Sequence, residues 1–354
     1  MSLYVKDYDY DLVESLIADQ PPELRGTSRL LVVNPSEQTL QDKHYKDIVD
    51  YFSPGDLLVL NDTKVLPARI ITKKDSGAER EIILVERHAE NENWFTHKVI
   101  YRRHLSAGDI LTTKSGYRIK VESVGGDGTA IVASDKDLLE IADRDGEVPL
   151  PPYMHRKATA EDAQRYQTVW ARNIGSVAAP TASLNMTEEI LIQLKQKGVN
   201  ITYLTLHVGL GTFLPIRTDD LTDHKMHSEY FEIPTETVRL INATKAQNKQ
   251  VIAVGTTVTR TLEYAKEMIQ GNDKPIRGEA DIFIYPGYEF RIVDQLITNF
   301  HAPRSTVLML TAAFCGWDFL KRAYDHASKE KYHFLSYGDS MLIRSKNHHN
   351  AVQN

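Results

Sequence analysis

The stretch TLHVGLGTFLPI, residues 205–216, decides how this chain is read. It begins with the β-branched and apolar texture of a strand, places His207 among apolar neighbours, and breaks at Gly209 and Gly211 before Phe213 and Pro215. A strand that ends in two glycines brings bare backbone to a ligand. Glycine has no Cβ, so its amides can approach a substrate closely, which suits the crevice outside the carboxyl ends of an α/β sheet. The same stretch also reads as a plain turn after a buried strand, with His207 a satisfied core histidine. Its surroundings weigh for the site.

Outward from that stretch, helices and strands alternate. Thr187 opens a helix with Glu188 and Glu189 in its first turn, where carboxylates complement the macrodipole, and Gly198 closes it. The spacing predicts strands over 201–208, 251–254, 280–284 and 296–300, and helices over 234–246, from Gly255 onward, over 305–314 and over 318–331. Upstream it predicts a short helix over 12–18 stopped by Pro21 and Pro22, a strand over 29–33, a helix over 44–52 and a buried strand over 56–60. Such alternation implies a largely parallel sheet covered on both faces.

Between residues 67 and 151 the texture changes. Short alternating segments at 68–72, 81–86, 94–100, 117–123 and 129–133 are separated by the turn signals DSGA, SAGD, KSG and GGDG. Five or six strands at this spacing suggest a small β-barrel, followed by a helix near 138–142 and the stiff GEVPLPPY. Prolines at both ends mark an inserted module on semi-rigid connectors. The fold class expected is therefore α/β: a mixed, mainly parallel domain of residues 1–66 and 152–345, interrupted by an inserted small β-barrel domain of residues 67–151. The tail, 346–354, is expected to be disordered.

The chain has 354 residues, enough for two domains and a sizeable core. No run approaches the roughly 20 apolar residues that span a bilayer, and the N-terminus lacks a basic-then-apolar signal, so a cytoplasmic protein is expected. A single cysteine, Cys315, excludes an internal disulfide and any CxxC metal site. The net charge of -6 argues against a non-specific coat on nucleic acid but leaves room for a local basic face.

Polar or glycine-bearing strand ends recur, and a doubly wound sheet would bring them to one edge: NDTK at 61–64, TLHVG at 205–209, GTTVTR at 255–260, YPGYEF at 285–290 and NFH at 299–301. GTTVTR resembles an anion cradle at a helix N-terminus, although it lacks the lysine and spacing of a Walker loop and reads equally as a Thr-capped helix start. His224, His227 and Glu229 do not follow a zincin pattern, and no metal is assigned to them. Arg102, Arg103, His104, Arg156, Lys157 and Arg165, interleaved with Trp94, Tyr101, Tyr153 and Trp170, are either solvated charges or the lining of a groove for looped RNA.

Nine ordered blocks carry a resemblance. They are DYDYDLVESLIADQPPELRGTSRLLVV, GDLLVLNDTKVLPAR, RYQTVWARNIGSVAAPTA, TLHVGLGTFLPI, HKMHSEYFEI, VGTTVTRTLE, IFIYPGYEF, TNFHAPRSTVLML and YHFLSYGDSMLI. Together they resemble the S-adenosylmethionine:tRNA ribosyltransferase-isomerases of queuosine biosynthesis over nearly the whole chain. The resemblance implies transfer and isomerisation of the ribosyl group of S-adenosylmethionine onto 7-aminomethyl-7-deazaguanine in the tRNA anticodon loop, with release of adenine and methionine. It implies a cytoplasmic monomer that holds no cofactor, because S-adenosylmethionine is consumed.

With that chemistry in view, proton transfer falls to His207 and His301, with Asp62 or Glu229 as orienting carboxylates. Substrate contacts are expected from Asn61, Thr63, Thr181, Asn185, Gly209, Gly211, Phe213, His227, Asn299 and Tyr285, and Tyr288 could face the sulfonium. Gly255, Thr256 and Thr257, with Arg260 nearby, are candidates for the methionine carboxylate. Arg102, Arg103, Arg156, Lys157 and Arg165 are the candidates for tRNA. One departure stands out: the usual APTAGLHFT reads APTASLNMT here, so Ser183, Asn185 and Met186 replace Gly, His and Phe, and Asn185 cannot take a proton near neutrality. Ala302 in place of the usual Leu is a smaller packing change.

Overall fold

A computed structural model describes residues 2–88, 93–209, 211 and 216–344. The chain opens with strands β1 (Arg29–Asn34), β2 (Thr39–His44) and β3 (Leu57–Asn61), then leaves through the short β4 (Thr63–Val65). A compact all-β unit follows, made of β5 (Arg69–Lys74), β6 (Glu79–Leu84), β7 (Thr96–Arg102), β8 (Ile110–Thr113), β9 (Arg118–Val124) and β10 (Thr129–Ala133), then helix α1 (Leu138–Asp145) and β11 (Gly146–Glu147). The return passes through α2 (Ala160–Arg165) and β12 (Asn173–Ser176) to α3 (Glu188–Gln196), β13 (Asn200–Leu206), β14 (Glu229–Ile233) and α4 (Thr235–Ala246). The last part holds β15 (Val251–Val254), α5 (Thr256–Tyr264), α6 (Lys266–Ile269), β16 (Ile276–Ala280), β17 (Gln295–Asn299), α7 (Thr306–Cys315), α8 (Trp317–Lys329) and β18 (Ser340–Arg344).

Nine strands form one sheet in the order β16-β14-β13-β3-β15-β17-β18-β1-β2. Its centre, β13-β3-β15-β17, is parallel throughout. Toward both edges the pairing turns antiparallel, except that β1 runs parallel to β18. Strand periodicity divides the apolar residues between two cores: Leu57, Val59, Val251 and Ala253 point to one face, and Leu58, Leu60, Ile252 and Val254 to the other. The inserted unit closes where β5 pairs with β8, which makes a six-stranded antiparallel barrel around its own core of Leu84, Val99, Leu111, Val121 and Val132. The expected class, a mixed α/β sheet interrupted by a β-barrel, is what the chain builds.

Some elements differ from the sequence reading. The helix expected over 12–18 is only a 3-10 turn, Glu14–Leu16, and that over 44–52 is β2 followed by a 3-10 stretch, Tyr45–Tyr51. The strand expected over 280–284 lies earlier, at β16, because it must pair with β14. The strands β8, β14 and β18 were missed, as were the short β4, β11 and β12 and the edge strand β2, whose TLQDKH is almost entirely exposed and carries no apolar alternation.

The exit to the barrel and the return from it are fastened at Asp62, which is 1% exposed. Its carboxylate accepts from Arg172 Nε at 2.6 Å, Asn173 Nδ2 at 3.0 Å and Thr205 Oγ1 at 2.6 Å. Its carbonyl accepts the backbone N–H groups of Arg172 and Asn173. Asn61 completes the splice: its side chain donates to the Leu206 carbonyl and accepts from Leu206 N–H and Thr63 N–H. Replacing Asp62 with Ala removes the acceptor shared by Arg172 and Asn173 on the returning segment and by the buried Thr205 hydroxyl, so Asp62→Ala should cost roughly 1–3 kcal/mol of stability. Urea unfolding followed by circular dichroism measures it, and a loss under 1 kcal/mol would show that the junction is held elsewhere.

Candidate active site

Because β13, β3, β15 and β17 run parallel, their carboxyl ends meet along one edge of the sheet. A cavity of about 110 Å³ opens there. Val208, Gly255, Thr298, Asn299, Phe300 and His301 come to it from the strand ends, and Ala179, Pro180, Thr181 and Ala182 from the APTA segment. Tyr153, Ser305, Val307, Leu335 and Ser336 complete the wall. Leu335 holds φ 69°, a left-handed conformation costly for leucine, and donates its N–H to the Phe300 carbonyl at 3.0 Å.

Two helices begin at this cavity. α7 is capped by Ser305, whose Oγ accepts from Leu308 N–H. α5 has no side-chain cap: its N-cap is Gly255, at φ 99°, a conformation that favours glycine. A Cβ at Gly255 would lie 3.6 Å from both Ala182 Cβ and Thr257 Oγ1, so a side chain there would enter the space those two flank. Thr257 Oγ1 and Asn299 Oδ1 are buried without a hydrogen-bond partner, although both residues line the cavity.

His301 is held on three sides. Its Nε2 lies 2.8 Å from Thr298 Oγ1, its N–H donates to Tyr324 Oη at 2.9 Å, and its carbonyl accepts from Tyr10 Oη. Burial pushes the imidazole down to about 3, so it stands neutral at physiological pH.

His207 sits in a different environment. Along a strand successive side chains alternate, so Val208 reaches the cavity and His207, absent from its lining, faces the other way. Its Nδ1 pairs with Thr63 Oγ1 at 2.8 Å and its ring stacks on Tyr230 with centroids 6.0 Å apart. A Cβ on Gly175 would come within 2.7 Å of that ring. Burial, reinforced by Arg87 and His88, pushes His207 down to about 3. Among the described residues no carboxylate orients either histidine. Threonine hydroxyls do that work, because Asp62 is spent on the barrel junction and Glu229 on Arg260 and the Gly209 N–H.

The remaining expected residues divide in the same way. Thr181, Gly255, Thr256, Thr257, Asn299 and His301 share the cavity. Arg260 is turned from it, donating to Glu229 and to the carbonyls of Ala280 and Ile282, so it is not a free partner for a carboxylate. Tyr285 packs against Phe283, and Tyr288 is bonded to Lys266 and Glu263, so neither lines the cavity. Gly209 lies under the Glu86 carboxylate and Gly211 under the His227 ring, while Phe213 lies outside the described residues, as does the tail 346–354. Asn185 is a structural tie: it accepts from Ser28 Oγ at 2.8 Å and donates to the Gly338 carbonyl and Ser340 Oγ at 2.9 and 3.1 Å. Among the basic candidates Arg156 grips Asp162 with two nitrogens and Arg165 donates to the Pro22 and Glu23 carbonyls, leaving Arg102, Arg103 and Lys157 exposed.

Sequence reasoning overlooked Glu86, Arg87 and His88, which follow β6 and reach the main sheet. Arg87 N–H donates to the Gly175 carbonyl, and His88 bridges Glu86 to Glu279 on β16; hydrogen bonds to those carboxylates, Glu86 first, push it up to about 9. The signal was the charged triplet closing an alternating strand. Among the described residues, no group of three or more His, Cys, Asp or Glu side chains is placed to hold a metal ion, and no helix is long and apolar enough to cross a membrane.

A cavity at the carboxyl edge of a parallel sheet centre, with a helix N-terminus and a clamped neutral imidazole, is the arrangement in which α/β proteins hold small molecules. Residues 5–343 match the family described as queuosine biosynthesis protein, and the chain belongs to that family. It is 52% identical over 340 residues to a Pelodictyon phaeoclathratiforme protein named S-adenosylmethionine:tRNA ribosyltransferase-isomerase, covering 95% of this chain and 98% of that one. A Sulfurihydrogenibium protein of the same name is 47% identical, with 96% and 99% covered. The crystal structure of the S-adenosylmethionine tRNA ribosyltransferase of Thermotoga maritima is 35% identical and superposes with a TM-score of 0.55, covering 95% of this chain and 99% of that chain.

Two outcomes test the placement of these residues. A depressed His207 leaves the unfolded chain binding more protons between about pH 3 and 6.5, so stability falls as pH falls through that range. His207→Gln should therefore remove roughly 2 kcal/mol of the loss between pH 7.5 and 5, while His301 keeps its own share of the slope; an unchanged slope in urea titrations would contradict a neutral buried ring. Asn185→Ala leaves three buried partners short and should cost roughly 2–3 kcal/mol, measured the same way, with wild-type stability counting against the tie.

Proposed function

We propose that this protein moves the ribosyl group of S-adenosylmethionine onto the aminomethyl group of 7-aminomethyl-7-deazaguanine at the tRNA wobble position, isomerising it to epoxyqueuosine and releasing adenine and methionine. In this reading it acts as a cytoplasmic monomer, and S-adenosylmethionine is spent as a substrate. Membership of the queuosine biosynthesis family supports the reaction class. The observation that carries the site is His301: among the described residues that line the cavity only it and Tyr153 are titratable, and burial pushes Tyr153 up to about 12.

The sulfonium acidifies the ribose 5′ carbon beside it. His301, neutral and clamped, takes that proton; the ylide breaks the bond between the 4′ carbon and the ring oxygen, and that oxygen expels adenine as it becomes the 1′ aldehyde, leaving a vinyl sulfonium across the 4′ and 5′ carbons. The substrate amine adds at the 4′ carbon, the ylide so renewed at the 5′ carbon closes onto the 1′ aldehyde to form the five-membered carbocycle, and the resulting alkoxide displaces methionine as the epoxide closes. Asn185 does not line the cavity, so its departure from the usual histidine leaves this chemistry in place. The tRNA base must be splayed from its loop to reach the cavity, and of the five basic candidates Arg102, Arg103 and Lys157 are exposed to meet phosphates, Arg102 with Glu81 3.6 Å away.

Incubating the protein with S-adenosylmethionine and tRNA that carries the deazaguanine should release adenine, read by chromatography; none above background rejects the reading. His301→Ala should lower turnover about 10²- to 10⁴-fold with the fold intact, and near-normal turnover would take the base role from it.

A further inference from the structure

We propose that the α5 end of the cavity is the subsite for the α-amino-acid group of S-adenosylmethionine, with the first-turn amides and Thr257 Oγ1 on the carboxylate and Asn299 Oδ1 on the α-ammonium. The assignment rests on reading the cavity as the S-adenosylmethionine site.

α5 spans nine residues, and no side chain caps its first turn. Helix dipoles and free amides favour an anion at such an end. The second observation concerns side chains and not the helix backbone: Thr257 on α5 and Asn299 on β17 are 7% and 2% exposed, and each carries a polar atom with no partner. Thr257 also borders a void of about 10 Å³ beside Arg260, but its Oγ1 lies on the Gly255 and Ala182 side, which is the side of the main cavity.

The two atoms call for opposite partners. A threonine hydroxyl can donate to a carboxylate. Asn299 Nδ2 is directed at the Asp339 carbonyl, 3.4 Å away, which leaves Oδ1 as an acceptor that needs a donor from the ligand. Carboxylate and ammonium share one carbon in an amino acid, and the two strand ends are neighbours: Val254 pairs with Ile297, and Gly255 N–H donates to the Ile297 carbonyl at 2.8 Å. Adjacent strands lie about 4.8 Å apart, a span one α-carbon with its two charged groups can bridge. The sulfonium and ribose then extend into the part of the cavity lined by His301, two residues beyond Asn299.

Calorimetry on the full chain with three probes tests this. S-adenosylmethionine carries both charged groups, its decarboxylated form lacks the carboxylate, and 5′-deoxy-5′-methylthioadenosine lacks the whole amino acid. Wild-type protein should bind the decarboxylated probe about 10- to 100-fold more weakly than S-adenosylmethionine. Thr257→Val and Asn299→Leu should each weaken S-adenosylmethionine about tenfold, raise KM more than they lower kcat, and leave methylthioadenosine within about twofold. Equal binding of the decarboxylated probe by wild type, or variants that weaken methylthioadenosine as much as S-adenosylmethionine, overturns the subsite while the cavity still stands as an adenosine site. Wild-type protein that binds neither nucleoside and releases no adenine overturns the functional reading itself.

Discussion

The fold depends on one buried carboxylate at the point where the chain leaves its main sheet. Asp62 binds the segment that returns from the barrel, through Arg172 and Asn173, to the strand that frames the site, through Thr205. A buried carboxylate is tolerable only when its lone pairs are filled, and here they are. Beside it, β4 and β12 pair in parallel, and Leu66 N–H reaches the Ser176 carbonyl. Both connectors are thus locked to the sheet before the barrel begins. The Ala179–Ala182 wall of the cavity follows directly from the second of them.

The same junction explains why the two candidate histidines part company. β13 is held at the register that lets Asn61 bond Leu206 on both its N–H and its carbonyl. With a period of two, that register sends Val208 to the cavity and His207 toward Gly175 and Tyr230. His207 is packed flat against a glycine and tied to Thr63, an arrangement of a core histidine at the domain junction. His301 comes after its strand has ended, where a turn can aim it into open space.

Much of the architecture was legible because it is written in local pattern. The alternation of apolar runs with capped helices, the glycine-punctuated short strands and the flanking prolines marked a sheet with an inserted barrel. What failed was tertiary in origin. Polar TLQDKH becomes a strand only because β1 lies beside it, and SEYFEI only because β13 and β16 flank it. In the site, the convergence of Gly255, Thr257, Asn299 and His301 followed from the rule that parallel strands end together. The directions of Arg260, Glu229 and Tyr288 did not, since each is captured by a partner distant in sequence: Arg260 by Glu229, and Tyr288 by Glu263 and Lys266. Tyr153, Leu335 and Ser336 could be placed at the cavity only by knowing how the connector returning from the barrel and the segment before β18 fold over it.

The cavity's charge inventory bears on how a sulfonium would react in it. Among the described residues no Asp, Glu, Lys or Arg side chain lines it, so none of them neutralises a positive sulfur and relieves the acidity of the carbon beside it. A neutral imidazole suits that setting better than a carboxylate would. In the proposed reaction, proton transfer from the 5′ carbon to His301 would leave the net charge of the enclosed space unchanged, so no new charge would have to be buried in a medium that solvates charge poorly. Burial that depresses the imidazole also makes its protonated form a strong acid. Such an acid would pass the proton on readily, and in the proposed reaction the departing adenine is the group that needs one.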